Sequence, residues 1–339
     1  MRRIACPERD DWRVTAEQFG FDFHTIDGER YWDERAYYAF TLDEIERQIE
    51  TPTGEIDAMC LELVDRAVDD EHDLRRLKIP EPFWPLISES WHRDEASLYG
   101  RLDLSFDGLG PAKLLEYNAD TPTSIFEAAV FQWTWLEQAI ERRIIPPRAD
   151  QFNSIHERLI EAWGKLGAGS HLHLAGMTES TEDTGTLAYL EDAARQAGLS
   201  TTVLDIEDIG LRDDGTFVDL DDRTITLMFK LYPWEWMFHE AFGAAIGKAS
   251  TRWIEPPWTR RLLCAQAALF ARGSQCDADP RRRDTGAAGR TLWRRGLYSP
   301  GAGAAAGLFE SISGARELAD RSLPVRIVDP RGRESDHRQ

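Results

Sequence analysis

Residues 100–128 read GRLDLSFDGLGPAKLLEYNADTPTSIFEA, and this stretch decides how the rest of the chain is interpreted. Polar and apolar residues alternate on both sides of a central segment, 107–111, that contains two glycines and a proline. Alternation with a period of two is typical of β-strands, and closely spaced turn-forming residues are typical of tight connections. The stretch therefore predicts two antiparallel strands joined by a short loop.

One face of this hairpin is predicted to carry four polar side chains, because residues two apart on a strand share a face. The four are Arg101, Asp103, Glu116 and Asn118, and the neighbouring leucines and Tyr117 are expected to pack behind them. Two carboxylates and a carboxamide form an all-oxygen set that suits Mg²⁺, and an arginine beside them can bind phosphate. The alternative is an ordinary surface ion pair between Arg101 and Asp103. Spacing alone leaves both interpretations open.

Composition limits the class of protein and its partners. The chain has 339 residues, of which 42% are hydrophobic and 29% charged, as in ordinary globular proteins. Its formal net charge of −20 argues against nucleic acid or an anionic membrane as a partner. The acidic N-terminus resembles no signal peptide, and no stretch approaches the ~20 apolar residues that a membrane-spanning helix needs.

Cysteine usage suggests the compartment. The four cysteines have neither the paired spacing of a zinc site nor that of a disulfide framework, and they are Cys6, Cys60, Cys264 and Cys276. A reducing compartment is the simplest explanation. We therefore expect a cytoplasmic protein.

The remaining patterns before residue 258 alternate between helix and strand. Residues 15–97 are mainly helical, with a capping box at Thr41–Glu44 and an expected break at Pro52 and Gly54. Helices are predicted at 123–142, 155–166 and 186–197, and strands at 171–175, 201–205 and 224–230. His171 and His173 share a strand face but have no evident third metal ligand, so we interpret them as ordinary polar residues. The predicted class is α/β (α+β).

Two segments of the central stretch resemble a known family. GRLDLSFDG followed by KLLEYNADTPTSIFEAAVFQWTWLE resembles the signature of the glutathionylspermidine synthase family. The resemblance covers about residues 8–258 and includes DWRVTAEQFGFDFHT, DQFNSIHERLIEAW, FKLYPWEWMF and TRWIEPPW. Members of that family are ATP-dependent acid–amine ligases with an ATP-grasp-like fold. The resemblance therefore implies a ligase that binds ATP and magnesium.

The resemblance also implies roles for the residues of the hairpin. It implies that Asp103, Glu116 and Asn118 bind Mg²⁺. It implies that Arg101 stabilises the transition state, and that ATP contacts Arg101, Leu102 and Asp103. All five residues lie on the two predicted strands.

Two further positions are implied to bind substrate. Thr121, in the sequence ADTPT, and Glu182, in TESTEDTGT, match positions that handle the acid or the amine. The family's acid is a glutathione-like peptide and its amine is polyamine-like. The resemblance thus implies small-molecule partners.

The chain changes character after residue 258. Residues 260–339 contain 15 arginines, no lysine and nine acidic residues, a net charge of +6 against −26 for the rest. In the family, this part supplies lysines and a phosphate-covering loop in a C-terminal lobe that closes over ATP. We therefore expect two regions. Residues 1–258 form a synthase-like region with the pre-ATP-grasp part and some of the catalytic domain. Residues 259–339 form an atypical Ala/Gly/Arg-rich tail. On this interpretation the ATP-grasp lobe is incomplete.

The tail leaves two functions open. Its sequence fits an out-of-frame coding segment, a disordered basic arm or a lineage-specific lobe. With a complete site, the chain would be an acid–amine ligase that forms an amide through an acyl phosphate. Without one, it would be an inactive family member that retains at most metal or small-molecule binding.

Overall fold

The computed structural model describes residues 1–26, 28–167 and 169–259, and the backbone of 307–308. The strands are β1 (Arg2–Ala5), β2 (Thr25–Ile26), β3 (Glu29–Arg30), β4 (Ala36–Ala39), β5 (Arg101–Ser105), β6 (Lys113–Asn118), β7 (His171–Gly176), β8 (Ser200–Asp205), β9 (Gly210–Leu211), β10 (Phe217–Val218), β11 (Leu227–Leu231), β12 (Arg252–Ile254) and β13 (Gly307–Leu308). The helices are α1 (Trp12–Gln18), α2 (Leu42–Ile45), α3 (Thr51–Ala67), α4 (Glu71–Arg76), α5 (Trp84–His92), α6 (Gln132–Glu141), α7 (Ile155–Gly167), α8 (Thr181–Gln196), α9 (Trp234–Met237) and α10 (Gly243–Ile246). The mixture confirms the α/β (α+β) class. Apart from Thr259 and β13, the predicted tail lies outside the described residues.

A parallel sheet in the order β12-β11-β7-β8 forms the centre of the fold. Alternation along β11 shows what covers each of its faces. Leu227, Phe229 and Leu231 belong to the core that contains buried residues of α7 and α8. Met228 belongs to the other core, on the side of the β5–β6 hairpin, and Lys230 shares its strand face. The sheet is therefore enclosed between a helical layer and the hairpin layer.

The β5–β6 hairpin has the predicted alternation, with one irregularity. Leu102 and Leu104 are buried in the core, together with Tyr117 of β6. A β-bulge between Asp103 and Leu104 places Leu104 opposite Leu114 instead of Leu115. Leu115 is consequently 52% exposed, so the prediction that it packs behind the polar face was wrong. The outer edge of β5 pairs with β13, at Leu102 and Asp103.

Two predicted helix boundaries need correction. The capping box at Thr41 is confirmed, but the break expected at Pro52 is absent, because a π-helical turn, Glu46–Glu50, leads directly into α3. Its wider hydrogen-bond ring accommodates a proline near the start of α3, where no backbone donor is needed. The helix expected from residue 186 begins five residues earlier, because the Ser180 hydroxyl caps it by accepting from Asp183 N at 3.2 Å.

The two strand histidines hydrogen-bond neighbouring side chains, although one ring nitrogen, His173 Nδ1, is buried without a partner among the described residues. His171 hydrogen-bonds Ser200 and Thr202, and His173 Nε2 lies 3.1 Å from Asp219 Oδ2. Within the described ranges, no helix is both long enough and apolar enough to traverse a bilayer.

A buried ion pair ties the N-terminal segment to α6. Arg9 and Glu34 have fully buried side chains, and Arg9 Nε donates to Glu34 Oε2 at 2.9 Å. A second guanidinium nitrogen contacts Glu34 Oε1, and Nη1 donates to Gln138 Oε1 at 2.8 Å. Trp32 Nε1 also donates to Glu34, at 2.9 Å. The guanidinium therefore links three segments.

Replacing Arg9 tests this link. Arg9→Met leaves Glu34 as an uncompensated buried charge, so we expect the free energy of unfolding to fall by about 3–5 kcal/mol. Urea denaturation followed by circular dichroism measures it. The control is Arg3→Met, which removes an exposed arginine and is expected to change stability by less than about 0.5 kcal/mol. Equal losses in both variants would contradict the assignment.

Candidate functional site

The candidate site lies beside the carboxyl ends of β7 and β11. The connection that leaves β7 through α8 leads to β8 on one side, whereas β11 lies on the other side of β7. Such a point, where the strand order reverses, is where ligands bind in open parallel sheets. Two contacts place the hairpin there. Asp120, just after β6, contacts Lys230 at the end of β11, and the charge of Glu182 in the first turn of α8 acts on Arg101.

The four polar residues of the hairpin share one face, as predicted, and we call Arg101, Asp103, Glu116 and Asn118 the polar face. Arg101 lies opposite Asn118, and Asp103 lies opposite Glu116. Leu102, predicted to contact ATP, has its side chain buried in the core behind this face, away from the polar residues.

Arg101 and Asp103 form a two-pronged ion pair on the polar face. Arg101 Nε donates to Asp103 Oδ1 at 2.7 Å, and Nη2 donates to Oδ2 at 3.2 Å. The third guanidinium nitrogen, Nη1, donates to Thr123 Oγ1 at 3.2 Å. The two side chains are only 15% and 23% exposed, so this is a half-buried pair and not the freely solvated one considered above.

The negative charge of Glu116 is unfavourable in its surroundings. Burial raises its pKa, the facing charge of Asp103 raises it further, and Arg101 opposes both effects. Burial alone would lower the pKa of Arg101, but its contact with Asp103 and the charge of Glu116 hold it above the ordinary value. The polar face therefore carries more negative charge than one guanidinium compensates.

Asn118 and Thr121 form a turn at the exit of β6. Asn118 Oδ1 accepts hydrogen bonds from the backbone N–H groups of Asp120, at 3.3 Å, and Thr121, at 3.1 Å. Its Nδ2 donates to the Thr121 carbonyl oxygen at 3.2 Å. The carboxamide is thus engaged with the loop that follows the strand.

The donor set fits a divalent cation in part. The opposed carboxylates of Asp103 and Glu116 are hard oxygen ligands whose mutual repulsion a cation would relieve. Asn118 Oδ1, in contrast, already accepts two hydrogen bonds, so it fits only if the turn opens. In the described part of the chain, no three His, Cys, Asp or Glu side chains cluster as a metal site. Coordination would therefore need additional oxygens, such as water or phosphate.

An acidic cluster borders the polar face. Glu127 is 6% exposed, accepts a hydrogen bond from the Tyr31 hydroxyl at 2.6 Å, and leaves Oε2 buried without a partner. Burial raises the pKa of Glu127, and the charge of Glu182 raises it further. Burial and Glu182 also raise the pKa of Asp183, to about 6. The charge of Glu182 thus acts on both other carboxyls, and we call Glu127, Glu182 and Asp183 the acidic cluster.

Sequence reasoning missed several residues around the site. It identified neither Tyr31 and Glu127 nor the Asp120–Lys230 pair. Two of them had a signal, because Glu127 and Lys230 each interrupt an apolar run, SIFEAAVF and TLMFKLY, where a buried charge needs a partner. The partners, which are far away in sequence, had no such signal.

A family comparison matches most of the chain. The model described as "Glutathionylspermidine synthase preATP-grasp" matches residues 3–271. The chain belongs to the glutathionylspermidine synthase family. The match begins before, and ends after, the span 8–258 expected from sequence.

Curated relatives of the family carry ligase or synthetase names. A "Putative acid–amine ligase" of Haemophilus influenzae is 42% identical over 285 residues, which cover 80% of this chain and 69% of the relative. The "Bifunctional glutathionylspermidine synthetase/amidase" of Escherichia coli is 28% identical, covering 60% of this chain and 32% of the relative. The "Trypanothione synthetase" of Crithidia fasciculata is 26% identical, covering 60% and 31%. The chain thus spans about a third of the length of the last two relatives. The names of the relatives indicate a family of carbon–nitrogen ligases.

The Tyr31–Glu127 contact can be tested by pH-dependent stability. A carboxyl whose pKa is raised in the folded state destabilises the fold increasingly as pH rises from its unfolded to its folded value. Tyr31→Phe removes the hydroxyl that lowers the Glu127 pKa. We therefore expect a loss of about 1–3 kcal/mol at pH 8 and a smaller loss at pH 4. Urea denaturation across this range measures it.

Tyr38→Phe is the matched control, because Tyr38 is 38% exposed and lies on β4, away from Glu127. We expect its effect on the unfolding free energy to be small and independent of pH. A pH-independent loss in Tyr31→Phe would contradict the role given to Glu127.

Proposed function

We propose that the chain is an ATP- and Mg²⁺-dependent acid–amine ligase that forms an amide through an acyl phosphate. One observation carries the proposal: Asp103 lies directly opposite Glu116, with Arg101 beside it, next to the carboxyl ends of the parallel strands. Oxygen ligands and a guanidinium on one face suit a magnesium-bound polyphosphate. Family membership supports this reading of the face.

The polar face would bind the metal and the phosphates. Asp103 and Glu116 would supply carboxylate oxygens, and Asn118 would join them if it left its turn. Magnesium, when bound, would offset the negative charge of the phosphates. Arg101 would exchange one of its contacts with Asp103 for a phosphate oxygen, because a guanidinium can serve both groups.

The reaction would need two displacements. A carboxylate oxygen of the acid attacks the γ-phosphorus of ATP, which forms an acyl phosphate and releases ADP. The amine nitrogen then attacks the acyl carbon, an amide forms, and phosphate and a proton leave. Arg101 would stabilise the negative charge that develops during the first transfer. No side chain of the protein needs to become covalently attached.

The acidic cluster would bind the amine. The charge of Glu182 acts on Glu127, Asp183 and Arg101, and an ammonium group would relieve the repulsion among the three carboxyls. One carboxylate could accept the proton that the attacking nitrogen must lose. The relatives' names point to a polyamine as the amine and to a glutathione-like peptide as the acid, and Thr121 would contact one of these two substrates. A cytoplasmic setting is proposed as well, because Cys6 keeps its thiol, which donates to the Glu34 carbonyl oxygen at 3.1 Å.

The competing function is binding without turnover. No lysine follows Lys248, although the family's C-terminal lobe uses lysines for phosphate. A chain that lacks them would retain the polar face and the acidic cluster but would not close over ATP. It would bind a divalent cation or an amine and release no phosphate.

Calorimetry on the full chain tests the proposal. We expect Mg²⁺–ATP to bind, and Asp103→Asn to weaken binding by at least about 1.4 kcal/mol, which is tenfold. The matched control is Asp107→Asn, an acid-to-amide change in the hairpin loop, which is expected to leave affinity unchanged.

Phosphate release with glutathione and spermidine then separates the two functions. Phosphate release that depends on both substrates supports the ligase. In Glu182→Gln we expect the KM for spermidine to rise. Glu179→Gln, an exposed neighbour, serves as control. Binding without release supports the competing function, and binding that is equal in Asp103→Asn contradicts the proposed metal site.

A further inference from the structure

Lys230 is a buried cation at the carboxyl end of β11. Its side chain is fully buried, and its Nζ contacts Asp120 Oδ1 and, at 3.4 Å, the Asp120 carbonyl oxygen. The second carboxylate oxygen of Asp120 accepts from the Trp234 backbone N–H at 2.9 Å. The ammonium also lies 4.9 Å from the centre of the Trp234 indole ring. Because Asp120 follows Asn118 by two residues, these contacts fix the exit of the hairpin.

Glu255 fixes the entrance of the same hairpin. This residue follows β12, is fully buried, and accepts hydrogen bonds from the Ser97 hydroxyl and from the backbone N–H groups of Leu98, at 2.9 Å, and Tyr99, at 3.1 Å. Burial raises the pKa of Glu255 to about 7, and the charge of Lys230 counteracts that shift. The three residues it holds lead directly into β5.

The hairpin is therefore held at its entrance by hydrogen bonds to Glu255 and at its exit by the ion pair that Asp120 forms with Lys230. The strand neighbours of Lys230 show that a charge is not needed there for packing, because all of LMFKL is buried and the other four residues are apolar. A buried ion pair adds little stability over a well-packed apolar replacement. The position of the hairpin exit, in contrast, depends on a cation that holds the Asp120 carboxylate.

We infer that Lys230 is a positioning residue: through Asp120 it holds the exit of the hairpin against the sheet, so that the polar face lies over the carboxyl ends of β7 and β11. The effect on metal binding rests on the proposed function. The anchoring of the hairpin does not, and the two are measured separately.

The test compares four forms of the full chain: wild type, Lys230→Met, Lys230→Met/Asp120→Asn, and Leu159→Ala. Leu159 is a fully buried residue of α7, and its core contains Leu98 and Tyr99 but no residue of β5 or β6, so its truncation destabilises the fold without removing a contact of the polar face. Hydrogen exchange followed by mass spectrometry measures how firmly the hairpin is held, through the rate of amide exchange in peptides covering 97–124. Peptides from α7 and α8 serve as the reference. Electron paramagnetic resonance measures the concentration of free Mn²⁺ during a titration, which gives the affinity for the metal.

In both Lys230 variants we expect exchange in 97–124 to be about tenfold faster than in wild type, with the reference peptides unchanged. Mn²⁺ affinity should fall by about 10-fold to 100-fold, as when a group that orients a ligand is lost. The double variant removes the uncompensated carboxylate, so its melting temperature should recover while exchange stays fast and affinity stays weak. Leu159→Ala should melt lower but bind Mn²⁺ normally.

Two results would overturn the inference. One is wild-type exchange of 97–124 in the double variant, and the other is equal weakening of Mn²⁺ binding in Leu159→Ala, which would make the effect one of general stability. If the wild type binds no Mn²⁺, the proposed function fails, and the exchange data still decide whether Lys230 anchors the hairpin.

Discussion

The alignment of β5 with β6 constrains the candidate site more than any other interaction. Asp103 and Glu116 face each other only in this register, and a slip of one residue in either strand would turn the carboxylate of that strand into the core. Burial of Leu102 and Tyr117 on the opposite face fixes the register, because any slip would expose them. The bulge after Asp103 lets the strands continue beyond the site without disturbing this pairing. Packing on one face therefore sets the chemistry of the other.

Electrostatics suggest why the polar face is built for a ligand. Two facing carboxylates repel each other, and Arg101 offsets only one unit of that charge. The acidic cluster adds further carboxyls on the side of α8, and one oxygen of Glu127 is buried without a partner. A fold selected only for stability would be expected to replace such groups with apolar ones. A cation or an ammonium group would relieve the repulsion, which is the role that a ligase site requires.

Local sequence patterns predicted those features that depend on neighbouring residues. Alternation predicted the hairpin and its polar face, and the capping residues predicted the start of α2. The π-helical turn that accommodates Pro52 and the bulge that exposes Leu115 were missed, because a single inserted residue leaves no periodic signal. Contacts between distant segments were missed as well. Asp120 and Lys230 are 110 residues apart, so only the folded chain shows that they meet.

The most direct test of the account is to locate a divalent cation by anomalous X-ray diffraction from crystals of the full chain grown with Mn²⁺ and a non-hydrolysable ATP analogue. The account predicts an anomalous peak between the carboxylates of Asp103 and Glu116, with a phosphate oxygen completing the coordination and Arg101 in contact with the phosphates. A peak elsewhere, or an intact Arg101–Asp103 pair with no metal beside it, would contradict the central claim that the polar face is a metal–phosphate site.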